Sequence, residues 1–247
     1  MKRPLLLAAA VVVTTAFVPA PSPGLITHGP RRYRLVALTF DADMTRPMLR
    51  DLRAKRPRRW YDPALISELR ANHVHATVFL TGLWTLTYNR LARSLARDPL
   101  FEVENHSYNH AAWEAPCYGL ARVRSQAMKR EEVTGTAEII RRVTGVRPSY
   151  FRFPGGCQHE ADIRLVRSLG EQPVQWDVIS GDAFMTDPSR VAQHVLTQVR
   201  PGSIVVMHFI GAPKAPATAA ALRQIIPTLR RRGFRFVTLR TLLRAKS

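Results

Sequence analysis

The apolar positions of this chain fall into short runs that alternate with longer segments of helical spacing. The short runs predict strands at residues 35–40, 76–81, 101–104, 150–153, 174–178, 203–209 and 234–239. The longer segments predict helices at residues 63–72, 88–97, 120–144, 161–169, 188–199 and 218–232. This alternation predicts right-handed βαβ crossovers, and therefore an α/β fold with a parallel sheet. The pattern leaves open whether the strands close into a distorted barrel or form an open, doubly wound sheet.

The most reactive polar side chains follow the predicted strands. Asp41 and Asp43 end the first strand, and residues i and i+2 of a strand project to the same side. Other candidates lie at, or just past, the C-terminal ends of later strands: His106, Arg152, Asp177, Asp182 and His208. Because barrel enzymes build their active sites at this edge of the sheet, we expect one site there.

A histidine pair suggests what that site binds. His106 and His110 are four residues apart, a spacing that would place both imidazoles on one face of a helical turn. With Asp43 they offer two nitrogens and one oxygen, a common ligand set for a catalytic divalent metal. Zinc fits this set best, although cobalt, nickel, manganese and iron also accept it. Alone, the spacing is more often that of two unrelated surface histidines, so the prediction depends on Asp43.

The start of the chain is distinct from this fold. Lys2 and Arg3 precede an apolar stretch at residues 5–18 and a small-residue cleavage pattern. The layout predicts a secretory signal peptide at 1–20, a linker at 21–33 and one catalytic domain at 34–247. We expect a secreted or wall-associated protein with no membrane span once the signal is cleaved. An uncleaved signal that tethers the chain is the alternative.

The net charge of +19 bears on the choice of partner. The basic residues are mostly arginines scattered through every predicted helix, with no aromatic-interleaved groove or known nucleic-acid motif. We therefore expect no specific nucleic-acid partner. An anionic polymer of the cell wall stays open, because the field would attract it. We expect a monomer.

Two cysteines gain significance from the predicted export. Cys117 and Cys157 are an even count in an oxidising compartment, which favours one disulfide. On the chain-entropy model, closing a loop of about forty residues contributes roughly 4 kcal/mol to the free energy of unfolding. Two free, partly buried thiols are the alternative.

Five ordered motifs give the chain a specific resemblance. From about residue 34 to residue 243 it resembles the polysaccharide deacetylase (NodB-homology) family, carbohydrate esterase family 4. The T-F-D-x-D motif is similar to residues 39–43, H-[ST]-x-x-H to residues 106–110 and R-x-P-x-G to residues 152–156. The Asp of the fourth motif is similar to Asp182, and the final L-x-H motif to residues 206–208. The resemblance implies a distorted seven-stranded (β/α) barrel.

The resemblance also implies how the residues divide the work. Asp43, His106 and His110 would bind the metal, which holds a water and polarises the acetyl carbonyl of the substrate. Asp41 would take the proton of that water as the general base. The substrate would be an acetylated glycan.

The remaining roles concern the leaving group and the charge of the intermediate. His208 would protonate the departing amine, and Asp182 would hold His208 and raise its pKa. Arg152 would orient Asp41 by a charge-assisted hydrogen bond. A backbone N–H near Gly155 would stabilise the oxyanion together with the metal.

The chain departs from the family pattern in two motifs. Ala42 separates the two acids, so a strict residue register would leave an alanine at the ligand position. Ala183 and Phe184 follow Asp182 where many relatives have a Trp, which removes a ring that would line the sugar groove. Separately, the long basic segment 44–61 is either a substrate-binding lip or a mobile loop.

Together these observations predict a secreted, metal-dependent hydrolase that removes N-acetyl groups from amino-sugar polymers. Peptidoglycan is the first candidate substrate, and chitin-like glycans are the second. An O-acetyl esterase acting on xylan stays open, and so does a catalytically impaired glycan-binding module. Trp60, Trp84 and Trp113 would either stack on sugar rings or pack in the core.

Overall fold

The structure, a computed structural model, describes residues 24–57 and 59–245. The signal peptide predicted at 1–20 lies outside the described residues. The strands are β1 Leu35–Ala42, β2 Ala76–Leu80, β3 Phe101–Asn105, β4 Tyr150–Phe151, β5 Gln172–Pro173, β6 Val178–Ile179, β7 Ser203–His208 and β8 Arg235–Phe236. The helices are α1 Arg46–Arg53, α2 Pro63–Ala71, α3 Gly82–Thr87, α4 Asn89–Arg97, α5 Gln126–Thr144, α6 Glu160–Ser168, α7 Pro188–Gln198, α8 Thr218–Arg231 and α9 Leu239–Arg244.

The strands form one curled parallel sheet, which confirms the predicted α/β barrel-type fold as a half-barrel. The strand order is β5-β4-β3-β2-β1-β7-β6, with β8 paired to the start of β1. Asp41 on β1 is in register with Phe79 on β2 and with His208 on β7. The ends of these neighbouring strands therefore meet at one edge, in agreement with the sequence pattern.

The chain between β5 and β6 departs from prediction. The pattern predicts a single strand at 174–178, but the structure has two short strands at opposite ends of the sheet order. The apolar run there leads from one edge strand to the other, so its pattern reflects burial rather than strand pairing. The described part of the predicted linker, residues 24–33, contacts this segment and the start of β7: Ile26 bridges to Val174 and His28 bridges to Ser203.

Three of the described helices are not predicted by the pattern, and two of them replace other expectations. Helix α1 occupies residues 46–53 of segment 44–61, so this part of the segment is helical: Thr45 caps the helix by accepting from the Met48 N–H, and Met48 is buried. The strand predicted at 234–239 ends at Phe236, and Leu239 begins α9. Helix α3 is the third. Among the described helices, none combines the length and apolar character needed to cross a membrane.

Three tryptophans belong to the core. Trp60, Trp84 and Trp113 are at most 2% exposed, which leaves no ring face for a sugar. The indole N–H groups of Trp60 and Trp84 donate to backbone carbonyls, each at 2.8 Å. Of the two roles considered for these rings, the structure shows packing.

Candidate functional site

The end of β1 places both aspartates on one side of the sheet. Asp41 and Asp43 are nearly buried, while Ala42 between them is fully buried on the opposite side. Oδ1 of Asp43 lies 3.3 Å from Nε2 of His106 and 3.4 Å from Nε2 of His110. Asp43, rather than Ala42, therefore carries the oxygen that faces the histidine pair.

The histidine pair lies on a loop and not on a helical turn, so that expectation is wrong. His106 follows β3 directly, and the loop contains two residues with positive φ, Ser107 at 68° and His110 at 56°. This backbone path turns His110 back towards Asp43. His106 donates from Nδ1 to the carbonyl oxygen of Arg152 at 2.9 Å, which leaves Nε2 available as a ligand atom.

Three buried residues that the sequence does not single out hold this loop. Asn105 Oδ1 accepts from the Ser107 N–H at 3.0 Å, and its Nδ2 donates to Glu171 Oε1 at 3.0 Å. Glu132 on α5 accepts from the Tyr108 N–H at 2.6 Å. The place of Asn105 at a strand end is a signal that could have found it, but no pattern marks Glu132 or Glu171. They matter only because the fold brings them under the loop.

Asp41 is held from one side by Arg152. The guanidinium donates from Nη1 to Asp41 Oδ1 at 2.8 Å, and Arg152 is fully buried against the ring of Phe79. The second carboxylate oxygen, Oδ2, lies 3.6 Å from His106 Nε2. One oxygen of Asp41 is thus engaged, and the other faces the cluster of His106, His110 and Asp43.

On the other side of the cluster, Asp182 holds His208. Asp182 Oδ1 lies 2.7 Å from His208 Nδ1, and Asp182 Oδ2 accepts from the His208 N–H and from Thr218 Oγ1. Burial opposes a charge on the imidazole, but Asp182, and then Asp43 and Asp41, raise the pKa of His208 to about 10. His208 Nε2 lies 3.9 Å from Asp43 Oδ2. The imidazole is therefore protonated at neutral pH and directed at the cluster.

Asp177 does not belong to this site. Its carboxylate accepts from the Ile204 N–H and from Ser203 Oγ, at the start of β7, and pairs with Arg31. That is the amino edge of the sheet, opposite the edge predicted for Asp177. The prediction is wrong because the strand expected at 174–178 does not exist as one element.

Gly155 lies in the 3-10 turn Pro154–Gly156 after β4, with φ of 63°. A Cβ at this position would lie 2.6 Å from Cys117 Sγ and 3.1 Å from Cδ2 of Tyr118, so the turn leaves no room for a side chain. Cys117 and Cys157 are joined by a disulfide that packs against the turn. The oxyanion role of Gly155 stays a prediction.

The cluster fits a divalent metal. Asp43, His106 and His110 bring their ligand atoms within 4.8 Å of one another. Over residues 24–57 and 59–245, the buried atoms Asp43 Oδ1 and His106 Nε2 have no hydrogen-bond partner. Buried polar atoms usually have one, so the two unpaired atoms fit ligands of a metal ion. Burial lowers the pKa of His110 to about 4, so this imidazole is neutral. Burial opposes the charge of Asp43, but His110 and His106 lower its pKa below the usual range.

The fold and this site define a class: a (β/α) half-barrel protein whose carboxyl edge carries an Asp-His-His cluster between an Asp–Arg pair and a His–Asp pair. Comparison with known proteins gives the family. Residues 28–174, more than half of the chain, match the family model described as polysaccharide deacetylase. The chain belongs to the polysaccharide deacetylase family, a family of carbohydrate deacetylase hydrolases. Asp182 and His208 lie beyond the matched segment, so their assignment to the site is based on the geometry of the structure.

Individual relatives agree. The chain is 28% identical over 211 residues to a peptidoglycan-N-acetylglucosamine deacetylase of Bacillus cereus, covering 85% of this chain and 69% of that protein. It is 26% identical to a chitooligosaccharide deacetylase of Azorhizobium caulinodans, over 70% of this chain and 83% of that one. A crystal structure of a peptidoglycan N-acetylglucosamine deacetylase superposes with a TM-score of 0.76 at 25% identity, over 90% and 94% of the two chains.

One solved relative with the same fold is described as a pseudoenzyme. A carbohydrate esterase family 4 pseudoenzyme from Bacillus anthracis superposes with a TM-score of 0.73 at 25% identity, over 90% of this chain and 69% of that one. Family membership therefore supports a glycan-directed site without deciding turnover, which depends on the residues of this chain.

Proposed function

We propose that this protein is a metal-dependent deacetylase that hydrolyses the N-acetyl groups of amino-sugar polymers. The observation that carries the proposal is the placement of two hydrogen-bonded polar pairs on either side of one ligand cluster. Arg152 holds Asp41 on one side at 2.8 Å, and Asp182 holds His208 on the other at 2.7 Å. Amide hydrolysis needs both a base for the attacking water and an acid for the leaving amine, and the site offers one of each.

Asp43, His106 and His110 would hold the metal, and zinc suits two imidazoles and a carboxylate. A divalent ion bound there would lower the pKa of a coordinated water towards about 7 and would polarise a carbonyl oxygen. The other steps belong to side chains of this chain. Asp41 is free to accept the proton of the attacking water at Oδ2, because Oδ1 is engaged by Arg152.

Collapse of the tetrahedral intermediate breaks the carbon–nitrogen bond. His208 gives the proton at Nε2 to the departing amine nitrogen, while Nδ1 stays bound to Asp182. An amide needs this acid because an unprotonated amine anion is a very poor leaving group. A backbone N–H of the Gly155 turn would stabilise the oxyanion.

Peptidoglycan is the first proposed substrate, and chitin-like oligosaccharides are the second. Relatives named for both substrates support this choice, as does the charge of +19, which would attract an anionic wall polymer. We also propose that the protein acts outside the cell membrane. That part rests on the signal-like pattern of residues 1–20.

Acetate release tests the proposal. Purified protein is stripped with a chelator, reloaded with zinc or cobalt, and incubated with peptidoglycan, N-acetylglucosamine oligomers or acetylated xylan. We expect acetate from an amino-sugar polymer only after metal is restored. Acetate from xylan alone would indicate the O-acetyl esterase instead. The isosteric variant Asp41→Asn should keep the metal and lose most turnover, because it removes the base and preserves the geometry.

A non-catalytic glycan-binding module is the second candidate, and the pseudoenzyme relative is the observation that favours it. Ala42 does not support it, since Asp43 supplies the carboxylate facing both histidines. Retained glycan binding with no acetate from any substrate after metal loading would establish the module and refute the deacetylase.

A further inference from the structure

Building on the proposed function, we propose that Tyr118 and Phe184 form an aromatic platform on which a sugar ring of the glycan stacks. These two side chains are the most exposed large hydrophobic groups of the described residues, at 72% and 74%. They nevertheless contact each other, with ring centroids 5.7 Å apart and planes inclined by 40°. Covering a contiguous, water-exposed aromatic surface with an apolar face is favourable, because it removes apolar area from water.

The platform adjoins two segments that carry residues of the proposed site. Phe184 is two residues after Asp182, the carboxylate that holds His208. The Tyr118 ring lies against the Gly155 turn, where its Cδ2 is 3.1 Å from the point that a Cβ on residue 155 would occupy. The platform therefore joins the loop that carries Asp182 to the turn that carries the predicted oxyanion donor. A sugar resting there would adjoin the residue being deacetylated.

Tyr118 is held in a conformation that a tyrosine rarely adopts. Its φ is 46°, in the left-handed region, and such backbone persists where the surroundings fix it. The residue before it, Cys117, is cross-linked to Cys157, directly after the Gly155 turn. The disulfide thus ties the Tyr118 loop to the site, and we assign it the role of positioning the platform.

Size and chemistry select the occupant. Two rings offer far less area than the roughly 800 Å² per partner of a stable protein interface. They match one sugar ring, whose axial hydrogens form an apolar face and whose hydroxyls the Tyr118 oxygen can meet. Ala183, directly after Asp182, offers no ring, so Phe184 is the aromatic residue that this loop contributes.

Binding of N-acetylglucosamine tetramer tests the platform by calorimetry. The metal-loaded protein carries Asp41→Asn in every sample, so that hydrolysis does not consume the ligand. We expect Tyr118→Ala and Phe184→Ala each to weaken the Kd by about 2- to 10-fold. Tyr118→Phe, which keeps the ring, should bind nearly as tightly as the parent. Tyr33→Ala removes a partly exposed tyrosine elsewhere and should change nothing.

The disulfide is tested in the same assay. Replacing Cys117 and Cys157 together by Ser should weaken the binding of the N-acetylglucosamine tetramer about as much as Tyr118→Ala does. Circular dichroism should report an intact fold. Unchanged affinity in both alanine variants would overturn the platform. The platform would also be overturned if the protein formed a dimer that dissociates on Tyr118→Ala while its affinity for the N-acetylglucosamine tetramer stays constant. Loss of affinity in these variants together with no acetate release by the wild type would support the platform and refute the deacetylase.

Discussion

Glu171 allows the sharpest test of the structure, because its titration connects stability to the support of the histidine loop. The carboxyl is 4% exposed, and one of its oxygens, Oε2, has no hydrogen-bond partner within the described part of the chain. Burial raises the pKa of Glu171 to about 8, and the hydrogen bond from Asn105 and the charge of Arg147 oppose this only in part. Glu171 is therefore protonated in the folded protein at neutral pH.

The sign and size follow from proton linkage. Above pH 4.5 the unfolded chain has released this proton, while the folded protein keeps it until about pH 8. The folded state binds more protons in this window, so the free energy of unfolding falls as pH rises. At about 1.4 kcal/mol per pH unit, this group alone lowers it by about 3 kcal/mol between pH 4.5 and pH 7. The loss levels off near 5 kcal/mol above pH 8.

The variant Glu171→Gln tests this, because its amide keeps an oxygen for Asn105 and cannot titrate. Urea unfolding from pH 5 to pH 8.5 gives the free energy of unfolding for both proteins. We expect the variant to gain stability relative to wild type by about 3 kcal/mol or more across this range. Glu131→Gln, an exposed site on α5, should give a profile parallel to wild type. A constant difference between Glu171→Gln and wild type would refute the reasoning.

Three further predictions concern the groups around the site. Asp182→Asn should lower the pKa of His208 from about 10 towards 6.5, measured by NMR titration of the imidazole, since Asp182 is the main source of the shift; a pKa that stays near 10 contradicts this. Glu132→Ala should weaken zinc affinity about 10- to 100-fold in a competition assay with a folded protein, because it frees the histidine loop; unchanged affinity would show that the loop holds itself. Removing the Cys117–Cys157 disulfide should lower the free energy of unfolding by roughly 4 kcal/mol in urea, and no loss would contradict the loop-entropy estimate.

The sequence predicts most reliably what repeats along many residues. Strands β1, β2, β3 and β7 are runs of five to eight residues that are buried throughout or at all but one position, and the pattern predicts each within two residues of its bounds. The two-residue strands β5 and β6 are not predictable, since their pairing depends on where the sheet edge lies and not on local pattern. Helix α1 escapes prediction because its amphipathic face covers the core with few apolar residues.

For the site, the sequence predicts the reactive groups but not what supports them. Placement at strand ends marks Asp41, Asp43 and His208, because that position is a property of the strand itself. Support by Glu132 and Glu171 is a property of the packed structure: Glu132 lies on α5 and Glu171 directly before β5, and no sequence spacing encodes their distance from the loop. The same limit explains the error at His106, where a four-residue spacing suggests a helical turn and the chain uses two positive-φ residues instead.

The Arg152–Asp41 pair shows why curvature of the sheet is part of the chemistry. Arg152 follows β4, which is three strands away from β1 in the sheet order. In a flat sheet those strands would be about 14 Å apart, beyond the combined reach of the two side chains. Their contact at 2.8 Å requires the sheet to curl, and the curl in turn buries both partners completely or nearly so. Removing one partner of this pair would leave the other charge buried and unpaired, which is costly. The curvature that orients Asp41 is therefore stabilised by the charge of Asp41 itself.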